Sequence, residues 1–265
     1  MYLQLDSISK TFKDTKKETL LNISLGVEEG EFVCIVGPSG CGKSTLLNLV
    51  AGLETPTAGT ILLEGKPITG PGADRVLMFQ EAALYPWLSV KENVMFGLAA
   101  AGLRKDRQRE IAEKYLRMVQ LWHCRDYPIH QISGGMKQRT ALARALALNS
   151  KLLLMDEPFS ALDKQTINIL RAELEEIWEK TRKTILYVTH SVEEAIYFAD
   201  RVVIMAENPG QIKEIIPIGF PRPRHIEIPE FTVLRKRILN QVSLSARKSV
   251  ADEFDNPEGD GREET

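Results

Sequence analysis

The chain has 265 residues and a net charge of −2, which allows one large domain and gives no electrostatic reason to expect a nucleic-acid partner. Apolar residues make up 43% of the sequence, and the three cysteines have no paired spacing, which excludes a disulfide framework and fits a reducing compartment. The first residues lack the basic and apolar pattern of a signal peptide, and no apolar run approaches the ~20 residues of a membrane span, so we expect neither.

The N-terminal part of the chain has the alternating pattern of antiparallel strands. Apolar and polar side chains alternate in residues 2–8 and 20–27, and the polar segment 13–18 between them predicts a hairpin loop. Phe12 stands just before that loop. A lone aromatic side chain there either packs into the core or offers a face on which a nucleotide base stacks, and the residues alone leave both interpretations open.

The next segment fits the pattern of a phosphate-binding loop and stands between an apolar strand and a helical pattern. Its residues are Gly37, Pro38, Ser39, Gly40, Cys41, Gly42, Lys43, Ser44 and Thr45. Such a turn aims backbone N–H groups at a phosphate chain, and the start of the following helix adds partial positive charge. We expect Lys43 to reach the β- and γ-phosphates and the Ser44 hydroxyl to bind Mg²⁺.

Cys41 lies inside this loop, beside Lys43 and the start of the helix. Both neighbours favour a thiolate, so the sequence predicts a lowered pKa for the Cys41 thiol. It also predicts that alkylation of Cys41 inactivates the protein and that a bound phosphate ligand with Mg²⁺ protects it. The alternative is an inert small residue.

Two more strands, over residues 60–64 and 75–80, precede an irregular apolar stretch. The second strand ends at Gln80. Residues 81–90 then carry Tyr85 and Trp87 in a loop, which indicates either a docking surface or a buried loop.

The strand signal disappears from Lys91 to about Ser150, so we interpret residues 91–150 as an inserted helical subdomain. Within it, Ser133, Gly134 and Gly135 precede an alanine-rich helix. Ser133 is a good N-cap, and the glycines leave the backbone open. This segment is either a second anion-binding helix start or simply a capped helix.

The parallel-strand pattern resumes at residues 151–156, and it repeats at residues 184–189. The first of these strands ends in Asp156 and Glu157, and the second is followed by His190. Parallel strands direct their carboxyl ends to one crevice, so we expect these side chains and Gln80 to meet there. Asp156 would hold the metal, and Glu157 would accept a proton from, or orient, an attacking water. His190 would hydrogen-bond the γ-phosphate, and Gln80 would contact Mg²⁺ or the water.

The C-terminal part of the chain predicts a closing hairpin over residues 201–206 and 212–216, followed by a last helix over residues 231–242. The polar, acidic segment 244–265 has the composition of a disordered tail.

Together these motifs resemble the nucleotide-binding subunits of ABC transporters over residues 2–243. The matching positions are the adenine-stacking Phe12, the Walker A loop 37–45, Gln80 of the Q-loop, the signature segment 133–136, Walker B at 152–157, the D-loop at 160–163 and the switch histidine His190. Ile132, Met136 and Phe12 depart from the commoner residues, but none of these departures removes a catalytic group. The resemblance implies an α/β fold: a P-loop NTPase (RecA-like) core with an antiparallel β subdomain and the inserted α-helical subdomain.

The resemblance also implies an ATPase that uses ATP and Mg²⁺ and acts as a head-to-tail dimer, most simply of two identical copies. Each ATP would lie between the P-loop of one copy and Ser133–Gly135 of the other, with Lys43, Gln80, Glu157 and His190 as the catalytic residues. Membrane permease subunits and a substrate-binding protein are the implied partners, at the cytoplasmic face of the membrane. Segments 79–90, 208–212 and 220–224 look like the nitrate, sulfonate and taurine import branch. The alternatives are an ABC-type ATPase that is not coupled to transport and the subunit of an exporter.

Overall fold

The computed structural model of the protein describes residues 1–13, 18–160 and 162–254, with the backbone alone for residues 244–254. The strands are β1 (Leu3–Thr11), β2 (Glu18–Val27), β3 (Phe32–Val36), β4 (Ala58–Leu63), β5 (Lys66–Pro67), β6 (Arg75–Met78), β7 (Leu152–Asp156), β8 (Thr184–Val188), β9 (Arg201–Ala206) and β10 (Gln211–Pro217). The helices are α1 (Lys43–Ala51), α2 (Val90–Ala100), α3 (Lys105–Met118), α4 (Gly134–Ala147), α5 (Lys164–Thr181), α6 (Val192–Phe198) and α7 (Pro229–Phe254). Most of the predicted hairpin loop at residues 13–18 lies outside the described residues.

The smaller sheet is antiparallel, with the strand order β2-β1-β4-β5. Its buried face is formed by alternate apolar residues, such as Leu3, Leu5, Ile23 and Leu25, because successive side chains of a strand point to opposite faces. These side chains share one core with the first helix, including Leu46 of α1. This sheet is the predicted antiparallel β subdomain.

The larger sheet has the strand order β10-β9-β3-β8-β7-β6, with β10 antiparallel to β9 and the other pairs parallel. Every residue of β3 and β8 is buried, as expected for strands covered on both faces. Asp156 of β7 is level with Val188 of β8, which in turn is level with Ile35 of β3. The carboxyl ends of these strands therefore meet at one edge of the sheet, and the predicted α/β P-loop fold is confirmed.

Helices α2, α3 and α4, which come between β6 and β7 in the sequence, pack against one another. Their shared core includes Val94, Leu98, Leu116 and Leu142. The start of α2 is fixed by a capping box, in which the Ser89 hydroxyl accepts a hydrogen bond from the Glu92 amide at 3.2 Å and the Glu92 carboxylate accepts one from the Ser89 amide at 2.8 Å. The described residues from 90 to 150 contain no strand, in line with the interpretation of an inserted helical segment.

The last helix is longer than the sequence predicted. It starts at Pro229, a residue that favours the first position of a helix because it has no N–H group to leave unpaired. It continues through residues 244–254, where the composition predicted a disordered tail, and the rest of that predicted tail lies outside the described residues. No helix in the described part of the chain has both the length and the hydropathy of a membrane span.

Candidate active site

The loop between β3 and α1 is shaped by glycines. Gly40 and Gly42 have φ angles of 82° and 90°, in the left-handed region that other residues rarely adopt. A Cβ atom on Gly37 would lie 2.7 Å from the carbonyl oxygen of Met205, so only glycine fits there. The loop leads directly into α1, whose first backbone N–H groups have no partner within the helix. This is the arrangement that binds a phosphate chain.

Lys43 is the first residue of α1, and its side chain is buried against the start of the phosphate-binding loop. Its ammonium group donates hydrogen bonds to the carbonyl oxygens of Gly37, at 2.9 Å, and Pro38, at 2.6 Å. The two bonds tie the start of the loop to the start of α1 and keep the cation in the cleft that the loop borders. Lys43 therefore lies where the sequence analysis expected a phosphate-binding cation.

The prediction of a reactive Cys41 is wrong. The side chain is 1% exposed and belongs to the core cluster that includes Leu20 and Met205. Burial raises the pKa of the Cys41 thiol, and Lys43, whose ammonium lies 3.7 Å from the sulfur, offsets only part of this rise. Desolvation of the thiolate thus outweighs the favourable charges, and Cys41 has the character of a packed apolar residue.

Asp156 ends β7 with one oxygen atom buried and without a hydrogen-bond partner among the described residues. Burial raises the pKa of the Asp156 carboxyl, and a hydrogen bond from the Ser44 side chain opposes the rise. No group of three His, Cys, Asp or Glu side chains in the described part of the chain could hold a metal alone. Mg²⁺ typically binds one or two carboxylates together with phosphate oxygens, so the orphan oxygen of Asp156 and the hydroxyl of Ser44 fit this ion.

Glu157 follows Asp156 with a φ angle of 45°, a strained conformation for a residue with a side chain. Its Oε2 atom lies 3.1 Å from Nδ1 of His190 and accepts a hydrogen bond from the Gln80 amide at 3.4 Å. Three side chains from the ends of three different strands therefore meet at one carboxylate oxygen, as expected when parallel strands direct their carboxyl ends to one crevice.

The phosphate-binding loop and this carboxylate border one cleft of about 380 Å³. It is lined by Thr19, Ser39, Gly40, Gly42, Lys43, Ser44, Thr45, Gln80, Glu157 and His190. Thr19 was not predicted, because nothing in the sequence near this residue indicates a ligand. The cleft combines a cation, N–H donors and a carboxylate acceptor, which is the set needed to bind a polyphosphate and activate water.

Two predicted binding segments lie outside this cleft. Phe12 is half-buried and lines a separate groove with Lys10, whose ammonium is 4.9 Å from the centre of the ring. It belongs to neither of the buried core clusters among the described residues. Ser133 caps α4, where its hydroxyl accepts a hydrogen bond from the Met136 amide at 3.3 Å, and both Ser133 and Gly134 are exposed.

Helix α4 makes direct contact with the loop that follows β6, a link that the sequence analysis missed. The side-chain amide of Gln138 donates a hydrogen bond to the carbonyl of Gln80 at 3.4 Å. Arg144 donates to the carbonyls of Ala82, at 3.0 Å, and Ala83, at 2.9 Å. The helix that starts at Ser133 is thus bonded to the segment that carries Gln80.

The turn between β9 and β10 packs against the underside of the phosphate-binding loop. Gly210 donates a hydrogen bond to the Thr19 carbonyl at 2.9 Å and accepts one from the Leu21 amide at 3.0 Å. A Cβ atom on Gly210 would lie 2.1 Å from the carbonyl oxygen of Cys41. The close packing of this loop therefore requires a glycine at position 210, far from the loop in the sequence.

Comparison with known proteins places this site in a family. Residues 20–160 match the family described as ABC transporter. The chain is 49% identical, over 94% of each chain, to an uncharacterized ABC transporter ATP-binding protein of Methanocaldococcus jannaschii. It is 42% identical, over 90% of each chain, to the nitrate import ATP-binding protein NrtD of Synechococcus elongatus. A solved dimer of an ATP-binding cassette, in a post-hydrolysis state with ADP and phosphate, has a TM-score of 0.75 and 32% identity and covers 82% of this chain and 100% of its own.

The chain therefore belongs to the ABC transporter family. Within that family it is an ATP-binding, ATP-hydrolysing cassette built on the P-loop fold.

Proposed function

We propose that this chain is the ATP-hydrolysing subunit of an importer that takes up a small anion or organic solute of the nitrate, alkanesulfonate or taurine type. It would act with a separate membrane permease and a substrate-binding protein, at the cytoplasmic face of the membrane. The observation that carries the proposal is similarity along 90% of both chains to a nitrate import ATP-binding protein. The complete set of polar groups in the cleft supports an active enzyme.

Binding of ATP rests on the loop and on α1. The free N–H groups at the start of α1 and the ammonium of Lys43 would bind the β- and γ-phosphates, because both present positive charge to the same point of the cleft. Ser44 and Asp156, with Gln80, would hold Mg²⁺. The ion, when bound, neutralises charge on the transferring phosphoryl group.

Hydrolysis rests on Glu157. Its Oε2 atom is the acceptor shared by His190 and Gln80, so this oxygen is held in a fixed position beside the cleft. Glu157 would orient the attacking water and accept its proton, while His190 would contact the γ-phosphate. Most of the catalysis would come from positioning and charge, as phosphoryl transfer requires.

The exposed start of α4 supports a dimer. Ser133 and Gly134 present open backbone at a helix N-terminus, but they do not line the cleft of their own chain. In a head-to-tail pair of identical copies, this segment would complete the ATP site of the partner. ATP bound to one copy would contact the start of α4 of the other copy. The hydrogen bonds from α4 to the loop carrying Gln80 would then couple that contact to the catalytic groups of the second copy.

A cluster of aromatic side chains supports contact with a permease. Tyr85 lies between Trp87 and Phe96, with ring centres 5.6 Å and 4.2 Å away. Trp87 is 75% exposed and Phe96 is 45% exposed. Exposed aromatic groups of this kind mark interaction sites, and Tyr85 and Trp87 follow Gln80 on the same loop, while Phe96 lies on α2.

The test is ATP hydrolysis by the complex of this chain with its native permease, reconstituted in lipid. Nitrate, taurine, longer alkanesulfonates, bicarbonate or a pyrimidine is added in turn with the cognate binding protein. Stimulation by one compound supports the importer and identifies the solute. Strong basal turnover with no response to any binding protein favours an exporter, and failure to recover a membrane partner favours an ATPase that is not coupled to transport.

A further inference from the structure

His190 has little support of its own in the fold. Its side chain is 63% exposed, and its contact with Glu157 at 3.1 Å is made by an imidazole that stands free of the core. A side chain with so much freedom takes one orientation only if the backbone that carries it is held. The groups that hold this backbone lie on the next helix, α6.

Glu194, in the first turn of α6, is a buried carboxylate with several partners. Oε2 accepts hydrogen bonds from the Tyr187 hydroxyl at 2.8 Å and from the Thr189 hydroxyl at 2.9 Å. Oε1 accepts from Arg171 of α5 at 3.4 Å, in an ion pair whose two side chains are 12% and 9% exposed. Burial raises the pKa of Tyr187 far above its usual value, so the phenol remains a donor.

Thr189 carries this anchor to the residues on either side of His190. Its hydroxyl oxygen, which donates to Glu194, also accepts a hydrogen bond from the amide of Ser191 at 3.0 Å. The hydroxyl thus bridges the residue before His190 and the residue after it. The Ser191 hydroxyl in turn accepts from the amide of Glu194 at 3.3 Å and closes the turn.

We propose that Glu194 is a positioning residue for ATP hydrolysis. Anchored by Arg171, its carboxylate fixes the hydroxyl of Thr189 and thereby holds the backbone of His190 so that the imidazole meets Glu157. This inference rests on the role proposed above for His190. The Glu194 carboxylate has three side-chain donors, and one of them is the Thr189 hydroxyl that bridges the residues on either side of His190.

The test is the ATPase activity of the full-length chain with two substitutions of matched shape. Glu194→Gln places an amide N–H₂ against either Arg171 or the two hydroxyls, and Thr189→Val removes the bridging hydroxyl at constant shape. We expect each to lower kcat roughly tenfold or more, because a displacement of about 1 Å at a catalytic group can cost on the order of a hundredfold. KM for MgATP should stay within about twofold, since the phosphate-binding loop is unaffected.

Controls separate positioning from general damage. Glu193→Gln alters the neighbouring carboxylate, which forms a half-exposed ion pair with Arg235 at 3.1 Å, and should keep the kcat of the unmodified chain. Thr189→Ser keeps the hydroxyl and should restore most of the activity. Melting temperatures of all variants identify any that fail to fold, and Thr189→Val tests the proposal by itself if Glu194→Gln does not fold.

The decisive comparison repeats Thr189→Val in a chain that also carries His190→Ala. If Thr189 acts through His190, the second substitution adds no further loss of kcat. An equal loss in both backgrounds would overturn the inference while leaving the role of His190 intact. Full activity of His190→Ala alone would instead refute that role, and the inference with it.

Discussion

Arg224, in the segment after β10, is predicted to stabilise the fold by binding the end of helix α6. The side chain is 4% exposed, and its guanidinium donates to the carbonyls of Ala199 at 2.6 Å, Ile196 at 2.7 Å, Tyr197 at 3.1 Å and Phe220 at 3.3 Å. Three of these carbonyls lie at the end of α6, where the helix cannot satisfy them itself. Burial lowers the pKa of Arg224 to about 10, so the group is still a cation at neutral pH.

Arg224→Ala leaves these carbonyls without their donor. Each buried orphan costs about 1 kcal/mol or more, and removal of the buried cation returns part of that loss. Four orphaned carbonyls at about 1 kcal/mol each, less the part that removal of the cation returns, give an expected net loss of about 3 kcal/mol. At roughly 2–4 °C per kcal/mol for a chain of this size, the melting temperature should fall by about 6–12 °C.

Thermal unfolding followed by circular dichroism measures the shift at pH 7. The matched control is Arg237→Ala, because Arg237 forms an exposed pair with Glu214 that is worth at most about 1 kcal/mol. A melting temperature for Arg224→Ala within about 2 °C of the unmodified chain would refute the reasoning, because it would show that the four lost hydrogen bonds contribute little to stability.

Four other outcomes are expected. Glu157→Gln should keep ATP binding and lower turnover by about 10²–10⁴-fold, measured by phosphate release, and a near-normal rate would rule out a general base. Asp156→Asn should lose the rise in melting temperature that MgATP causes. Because the pKa of Asp156 is raised in the folded state, the stability of the unmodified chain should decline as pH rises from the unfolded to the folded pKa of this group. The variant should show less of this decline, and an unchanged dependence of melting temperature on pH would contradict the argument. Cys41 should resist iodoacetamide until the chain is unfolded, and stoichiometric labelling of the folded protein would contradict its burial. Tyr85→Ala with Trp87→Ala should spare ATP binding and abolish transport, and normal uptake by the pair would exclude the docking role.

The positions of the proposed catalytic groups were predictable because their signals are local. Asp156 ends a short buried strand, Glu157 and His190 follow such strands within one or two residues, and parallel strands bring these positions to one edge. The glycines of the phosphate-binding loop carry a pattern and a physical reason together. The order of the strands was not predictable, because β3 lies between β8 and β9, which come much later in the chain.

The one prediction that failed, and one residue that was missed, both depend on contacts between distant parts of the sequence. Cys41 has a cation beside it in sequence, but its burial comes from Leu20 and Met205, which the local pattern does not reveal. In the sequence Glu194 is one of two adjacent acids at the start of a helix, and only its buried partners distinguish it from the half-exposed Glu193.

The contact between Gly210 and the phosphate-binding loop has a consequence for the stage of synthesis at which the protein becomes functional. Chains fold as they leave the ribosome, N-terminal parts first. The segment 37–45 emerges early, but the backbone that supports Cys41 from below is supplied only with the turn between β9 and β10. A chain released before that turn carries the phosphate-binding sequence without its support. We therefore expect competence to bind nucleotide to be acquired late, when most of the polypeptide has been made.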